Sequence, residues 1–104
     1  MDYSNVEGII LAAGFSSRVG RNKMLLDIGG RTILERCILS MYGCCNRIIV
    51  VGGHRIEDIR PLVAKYSKAE LVFNPNYKDG MFTSVKEGLS KVTKEWCFIT
   101  PGDY

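Results

Sequence analysis

Four short apolar runs, at residues 6–12, 47–51, 70–73 and 95–100, alternate along the chain with stretches of helical spacing. Val, Ile or an aromatic residue supplies most of the bulk in each run. Such short, β-branched segments suit strands of a parallel sheet that is covered on both faces. Between the first two runs, Leu34, Cys37, Ile38 and Met41 follow the spacing i, i+3, i+4, i+7 of an amphipathic helix. Thr32-Ile33-Leu34-Glu35 ahead of them reads as a capping box, with Thr32 as N-cap and Glu35 reaching back. Ile59, Leu62, Val63 and Tyr66 repeat the helical spacing, and Pro61 is tolerated if it falls in a first turn. Met81, Val85, Leu89 and Val92 make a third stripe. The alternation predicts an α/β fold with right-handed crossovers, and in open sheets of that kind ligands bind at the carboxyl ends of the strands. Those ends fall near Ala13, Gly52, Asn74 and Pro101.

Length and composition narrow the class. With 104 residues, 46% hydrophobic and 24% charged, the chain matches one small globular domain. A disordered tail, a collagenous repeat and a disulfide-dense miniature are excluded. No apolar run reaches the length of a membrane span, and the start, MDYSNVEG, lacks the layout of a signal peptide. We therefore expect a cytoplasmic domain without a membrane partner. The formal charge of +3 favours an anionic ligand but is too mild to argue for nucleic acid, and none is expected. Cys37, Cys44, Cys45 and Cys97 show no Cys-x-x-Cys spacing and read as reduced thiols acting as small hydrophobes.

The loop after the first run carries the most chemistry. Residues 11–23 combine a small-residue turn, two serines (Ser16 and Ser17) and three cations, Arg18, Arg21 and Lys23, with no acidic residue among them. A turn without bulky Cβ atoms lets backbone amides point at a ligand. The pattern suits a polyphosphate cradle. It is not a Walker loop, because Gly14 is followed by Gly20 and then Arg21. Nor is it the dinucleotide fingerprint, which Gly14-Phe15-Ser16 breaks at once. The second run ends in Gly52-Gly53-His54-Arg55, without a carboxylate for a ribose, although Arg55 leaves an NADP reading open.

The motif Leu11-Ala12-Ala13-Gly14-x-Ser16-x-Arg18-x-Gly20-x-x-Lys23 resembles the signature of the MobA-like nucleotidyltransferases, and within them the molybdenum cofactor cytidylyltransferase branch. The likeness continues through Gly29-Gly30-x-Thr32-Ile33-Leu34, Val50-Val51-Gly52-Gly53-His54-Arg55, Asn74-Pro75-x-Tyr77-x-x-Gly80-Met81-x-x-Ser84 and Pro101-Gly102-Asp103. The resemblance implies a Rossmann-like three-layer α/β/α domain over residues 1–104, with a mainly parallel sheet of about four strands and three helices. It implies nucleotide contacts from Leu11, Ala12, Ala13, Gly14, Ser16 and Ser17, and catalytic cations at Arg18 and Lys23. Lys23 would neutralise charge on the α-phosphate and the departing pyrophosphate. Ala13, where guanylyltransferase relatives commonly have Gly, leans towards CTP. Val19 in place of Met and Asn22 in place of Pro depart from the pattern without removing a phosphate ligand.

Further along, the resemblance implies that Gly80 and Ser84 lie beside base and ribose, with Asn74 close by and Gly52 a weaker contact. His54, the only histidine, reads as a loop residue. Asp103 follows an apolar run and the turn Pro101-Gly102, a position that suits Mg²⁺ shared with substrate phosphates. The implied reaction transfers CMP from CTP to a phosphorylated pterin acceptor and releases pyrophosphate. Three other readings stay open: a nucleotide-binding module without catalysis, a guanylyl or sugar-phosphate nucleotidyltransferase, and an NADP-linked oxidoreductase. The chain resembles the amino-terminal half of such enzymes. An exposed sheet edge is therefore expected, with self-association into homo-oligomers through it.

Overall fold

In a computed structural model, which describes residues 6–12, 27–43, 45–53, 56–76, 81–91 and 96–100, the four apolar runs form a single parallel sheet. The chain runs β1 (Val6–Ala12), β2 (Asp27–Ile28), β3 (Arg31–Thr32), α1 (Ile33–Tyr42), β4 (Arg47–Gly52), a 3₁₀ turn (Ile56–Asp58), α2 (Arg60–Val63), β5 (Ala69–Phe73), α3 (Met81–Lys91) and β6 (Trp96–Thr100). The sheet order is β5-β4-β1-β6. In register, Ala12 lies beside Gly52, and Gly52 beside Phe73, while Thr100 lies beside Ile10.

The pleat of β1 divides the core in two. Val6, Ile10 and Ala12 pack with Leu34, Ile38 and Met41 of α1, Val63 of α2, and Ile48 and Val50 of β4. Ile9 and Leu11 join Ile49 and Val51 on the other face, under Val85 of α3. Steps from β1 to β4 to β5 move one way along the sheet with their helices on one face. The step from β5 back to β6 reverses direction, and α3 accordingly lies on the opposite face, as right-handed crossovers require. The three-layer α/β/α expectation holds.

Local chemistry explains the first helix. Thr32 accepts from the Glu35 amide at 3.2 Å, and the Glu35 carboxylate accepts from the Thr32 amide at 3.3 Å. The predicted capping box is therefore formed. The Tyr66 hydroxyl donates to the same carboxylate at 2.8 Å. That bond holds Glu35 below its ordinary value of 4.5, against the opposing effect of burial, with Thr32 and the Lys65 ammonium acting alongside. A lowered folded value means that this stabilisation is complete above the unfolded value and fades as pH falls through the folded one. We expect the wild-type chain to lose its stability advantage over Glu35→Gln as pH falls below the ordinary carboxyl value of 4.5. Urea titrations at several pH values check this, and parallel curves would refute the coupling.

Three details differ from the sequence reading. The stripe ending at Tyr66 predicts a longer second helix, yet α2 is one turn long. Pro61 sits in its first turn, and beyond it Lys65 and Tyr66 bond to Leu62 and Val63 with tight i to i−3 spacing. The third stripe is also rotated. Leu89 is 45% exposed, whereas Ser84 and Gly88 are buried on the α3 face that meets the sheet. A Cβ at Gly88 would come within 2.7 Å of Ile9 Cγ2, so only glycine admits this approach. Val92 lies outside the described residues. Third, β2 and β3 form a small antiparallel hairpin, turned by Gly29 and Gly30 at positive φ. Asp27 Oδ1 accepts from the Gly30 amide at 2.9 Å across that turn. Cys37 and Cys45 are free thiols, and Cys45 is buried in the core, as read from sequence.

Candidate nucleotide site

Strand direction decides where a ligand can sit. The sheet order reverses between β1 and β6, and parallel strands splayed at such a switch point leave a crevice beyond their carboxyl ends. β1 delivers the chain there at Leu11 and Ala12, immediately before the glycine- and cation-rich stretch 13–23. Beside Ala12 lies Gly52, the last residue of β4. A Cβ on Gly52 would meet Ile56 Cγ1 at 2.7 Å, so glycine here lets the 3₁₀ turn close over the strand end.

Next to Gly52, β5 ends and Asn74 begins a polar clasp. The Asn74 amide donates to the Gly52 carbonyl at 2.8 Å. Its side-chain Nδ2 donates to Thr83 Oγ1 and Ser84 Oγ, each at 2.9 Å, and its Oδ1 accepts from the Asn76 amide at 2.9 Å. The Thr83 hydroxyl donates in turn to the Asn76 carbonyl at 2.9 Å. Asn74 and Ser84 are fully buried. The carboxyl edge of the sheet and the first turn of α3 are thus tied by side chains.

The amino end of the sheet is chemically different. An open groove there is lined by Asn46, Arg47, Ser67, Lys68, Ala69 and Glu70. Both of its cations are engaged. Lys68 donates to the Tyr42 and Cys45 carbonyls, and Arg47 to Glu7 and Glu70. Cations already satisfied by protein acceptors have little to offer an anion. The carboxyl end is left as the candidate ligand face.

Residues 8–104 match the MobA-like NTP transferase domain model. The chain belongs to that family. Among curated relatives of this MobA-like domain, the molybdenum cofactor cytidylyltransferase of Escherichia coli (strain K12) is 41% identical over 100 residues, 96% of this chain and 52% of that protein. A protein of Bacillus cereus (strain ATCC 10987 / NRS 248) named "Probable molybdenum cofactor guanylyltransferase" is 30% identical over 98 residues, 92% of this chain and 48% of that one. The chain therefore spans about half the length of the curated relatives it matches. Among solved structures, the CTP:phosphocholine cytidylyltransferase of Streptococcus pneumoniae superposes with a TM-score of 0.78 at 27% identity, over 94% of this chain and 45% of that one.

Of the site residues expected from the sequence, the MobA-like domain brings Leu11, Ala12, Gly52, Asn74 and Ser84 to one end of the sheet. Ala13, Gly14, Ser16, Ser17, Arg18, Lys23, Gly80 and Asp103 lie outside the described residues. Among the described residues no group of three His, Cys, Asp or Glu side chains could hold a metal. Thr83 was not singled out from the sequence. Its signal was available: a hydroxyl residue directly before Ser84 at the start of a helix, nine positions after a strand-terminal Asn.

Proposed function

We propose that this chain is the nucleotide-binding part of a nucleotidyltransferase that takes CMP from CTP and passes it to a phosphorylated pterin of the molybdopterin type. The observation that carries the reading is the switch point itself, where β1 leads directly into the stretch holding Arg18 and Lys23. The cytidylyl relative at 41% identity supports CTP, and the guanylyl relative at 30% supports the reaction class with a different base. In the proposed reaction an acceptor phosphate oxygen forms a bond to the α-phosphorus while the bond to the pyrophosphate oxygen breaks. No protein nucleophile is needed. Lys23 and Arg18 stabilise the charge that builds on the phosphates, and backbone amides of 12–14 orient them. Asp103 is the proposed Mg²⁺ ligand; the ion would add further charge neutralisation to the phosphates. Gly80, Ser84 and Asn74 are proposed to flank base and ribose.

The proposal is tested by titrating CTP, GTP, ATP and NADPH into the chain by calorimetry, with and without Mg²⁺. CTP binding that strengthens with Mg²⁺ is the expected result. Tight NADPH binding with none for CTP would overturn it. Binding of CTP without pyrophosphate release on addition of acceptor would select a non-catalytic module instead. Among the described residues β6 pairs only with β1, and self-association through that edge is part of the same proposal. A monodisperse monomer by light scattering at high concentration would remove it.

A further inference from the structure

We infer that Thr83 is a positioning residue of the nucleotide site, acting through the Asn74 carboxamide and the Asn76 backbone. The inference rests on the nucleotide reading above and adds a residue to that site.

The proton directions around the clasp are fixed by elimination. The Asn76 amide can only donate, so the Asn74 carboxamide must turn its oxygen towards it, at 2.9 Å. The Nδ2 group then faces Thr83 and Ser84 at 2.9 Å each and, having no acceptor lone pair, must donate to both hydroxyls. Thr83 therefore accepts from Asn74, and its own proton goes to the Asn76 carbonyl at 2.9 Å. Asn74, Asn76 and Thr83 form a closed ring with one consistent set of donors. Both amide protons of Asn74 are engaged, so in this arrangement it influences a ligand through what it holds in place.

Only a side chain that accepts and donates at one atom completes the ring. Serine can do so; valine, with nearly the same shape, cannot. Asn74 is fully buried and its backbone amide is tied to Gly52, so the ring links β4, β5 and α3 at the ligand face of the sheet. Loss of the Thr83 hydroxyl leaves a buried amide proton and a backbone carbonyl without the partners they have now. The turn at 74–76 then loses its register against the first turn of α3, where Ser84 sits.

The experiment compares wild type, Thr83→Val, Thr83→Ser and Arg47→Ala in calorimetric titrations with CTP and Mg²⁺, well below each melting temperature. Thr83→Val is expected to weaken CTP binding about tenfold, the share of one unmet buried hydrogen bond. Thr83→Ser should return it to within about threefold of wild type. Arg47→Ala, destabilised at the far end of the sheet, should bind as wild type does, which separates positioning from general loss of stability. Equal CTP affinity in wild type and Thr83→Val would overturn the inference alone, as would equal weakening in the serine and valine variants. A wild-type chain that binds no nucleotide overturns the underlying reading and this inference with it.

Discussion

Replacing Lys23 by alanine is expected to cut nucleotidyl transfer by on the order of 10²–10³-fold while leaving the far-ultraviolet spectrum and melting temperature unchanged. The size follows from the proposed reaction. Charge accumulates on the departing pyrophosphate, and a cation aimed at that charge stabilises the transition state more than the ground state. Lys23 offers a compact point charge on a flexible stem, so it can follow the phosphate as the bond lengthens. Lys23→Arg keeps the charge with a planar, wider head, and should recover only part of the rate. A lysine head is almost never fully buried unless it is paired, which is why stability should be indifferent to it. Pyrophosphate release, followed with CTP and acceptor at saturation, is the measurement. Unchanged turnover in the alanine variant would remove Lys23 from the mechanism.

The second large effect belongs to stability. Glu7 and Arg47 are register partners on β1 and β4, at the amino end of the sheet. Arg47 Nη1 bonds the Glu7 carboxylate at 3.1 Å and the Lys91 carbonyl, at the end of α3, at 3.0 Å; Nη2 pairs with Glu70. Glu7 is fully buried, whereas the Arg47 side chain is 29% exposed. Removing the guanidinium takes an ion-pair partner away from a buried carboxylate, and the Glu70 and Glu7 contacts that raise the Arg47 value above its ordinary one are lost together. Breaking a buried pair from one side costs roughly 3–5 kcal/mol, and the partial exposure of Arg47 points to the lower end. Arg47→Ala should therefore lose about 3 kcal/mol in urea unfolding, or on the order of 15 °C in melting temperature. The double variant Glu7→Leu with Arg47→Met should recover most of that loss, because apolar replacement of both partners removes the buried charge together with its counterion. If single and double variants are equally unstable, the pair is not what holds this end of the sheet.

The two effects were unequally visible beforehand. Alternating apolar runs and helical spacings were enough for the four strands, of which β1 and β4, buried on both faces, are apolar nearly throughout. The Thr32–Glu35 cap was equally legible, since it depends on residues three apart. The Glu7–Arg47 pair was not, because its partners lie forty positions apart and meet only when β1 and β4 align. The orientation of α3 was misread for a related reason. Helical periodicity favours Leu89, but the contact with Ile9 is decided by how closely a helix axis can approach, and Gly88 permits more than any larger residue would.

The family was carried by the sequence itself: strand-terminal motifs, a basic loop turned by small residues and their order along the chain are local patterns that need no coordinates. Sequence also determined the α/β class, and through the direction that short connections impose on parallel strands it pointed to the end of the sheet where the site is proposed. Tertiary structure alone decided which face α3 covers, how Arg47 neutralises a buried Glu7, and how Asn74, Asn76 and Thr83 close into one ring. Each of these depends on atoms brought together by packing, and a hydrogen bond or ion pair is set by distances of a few tenths of an ångström that no spacing along a chain encodes.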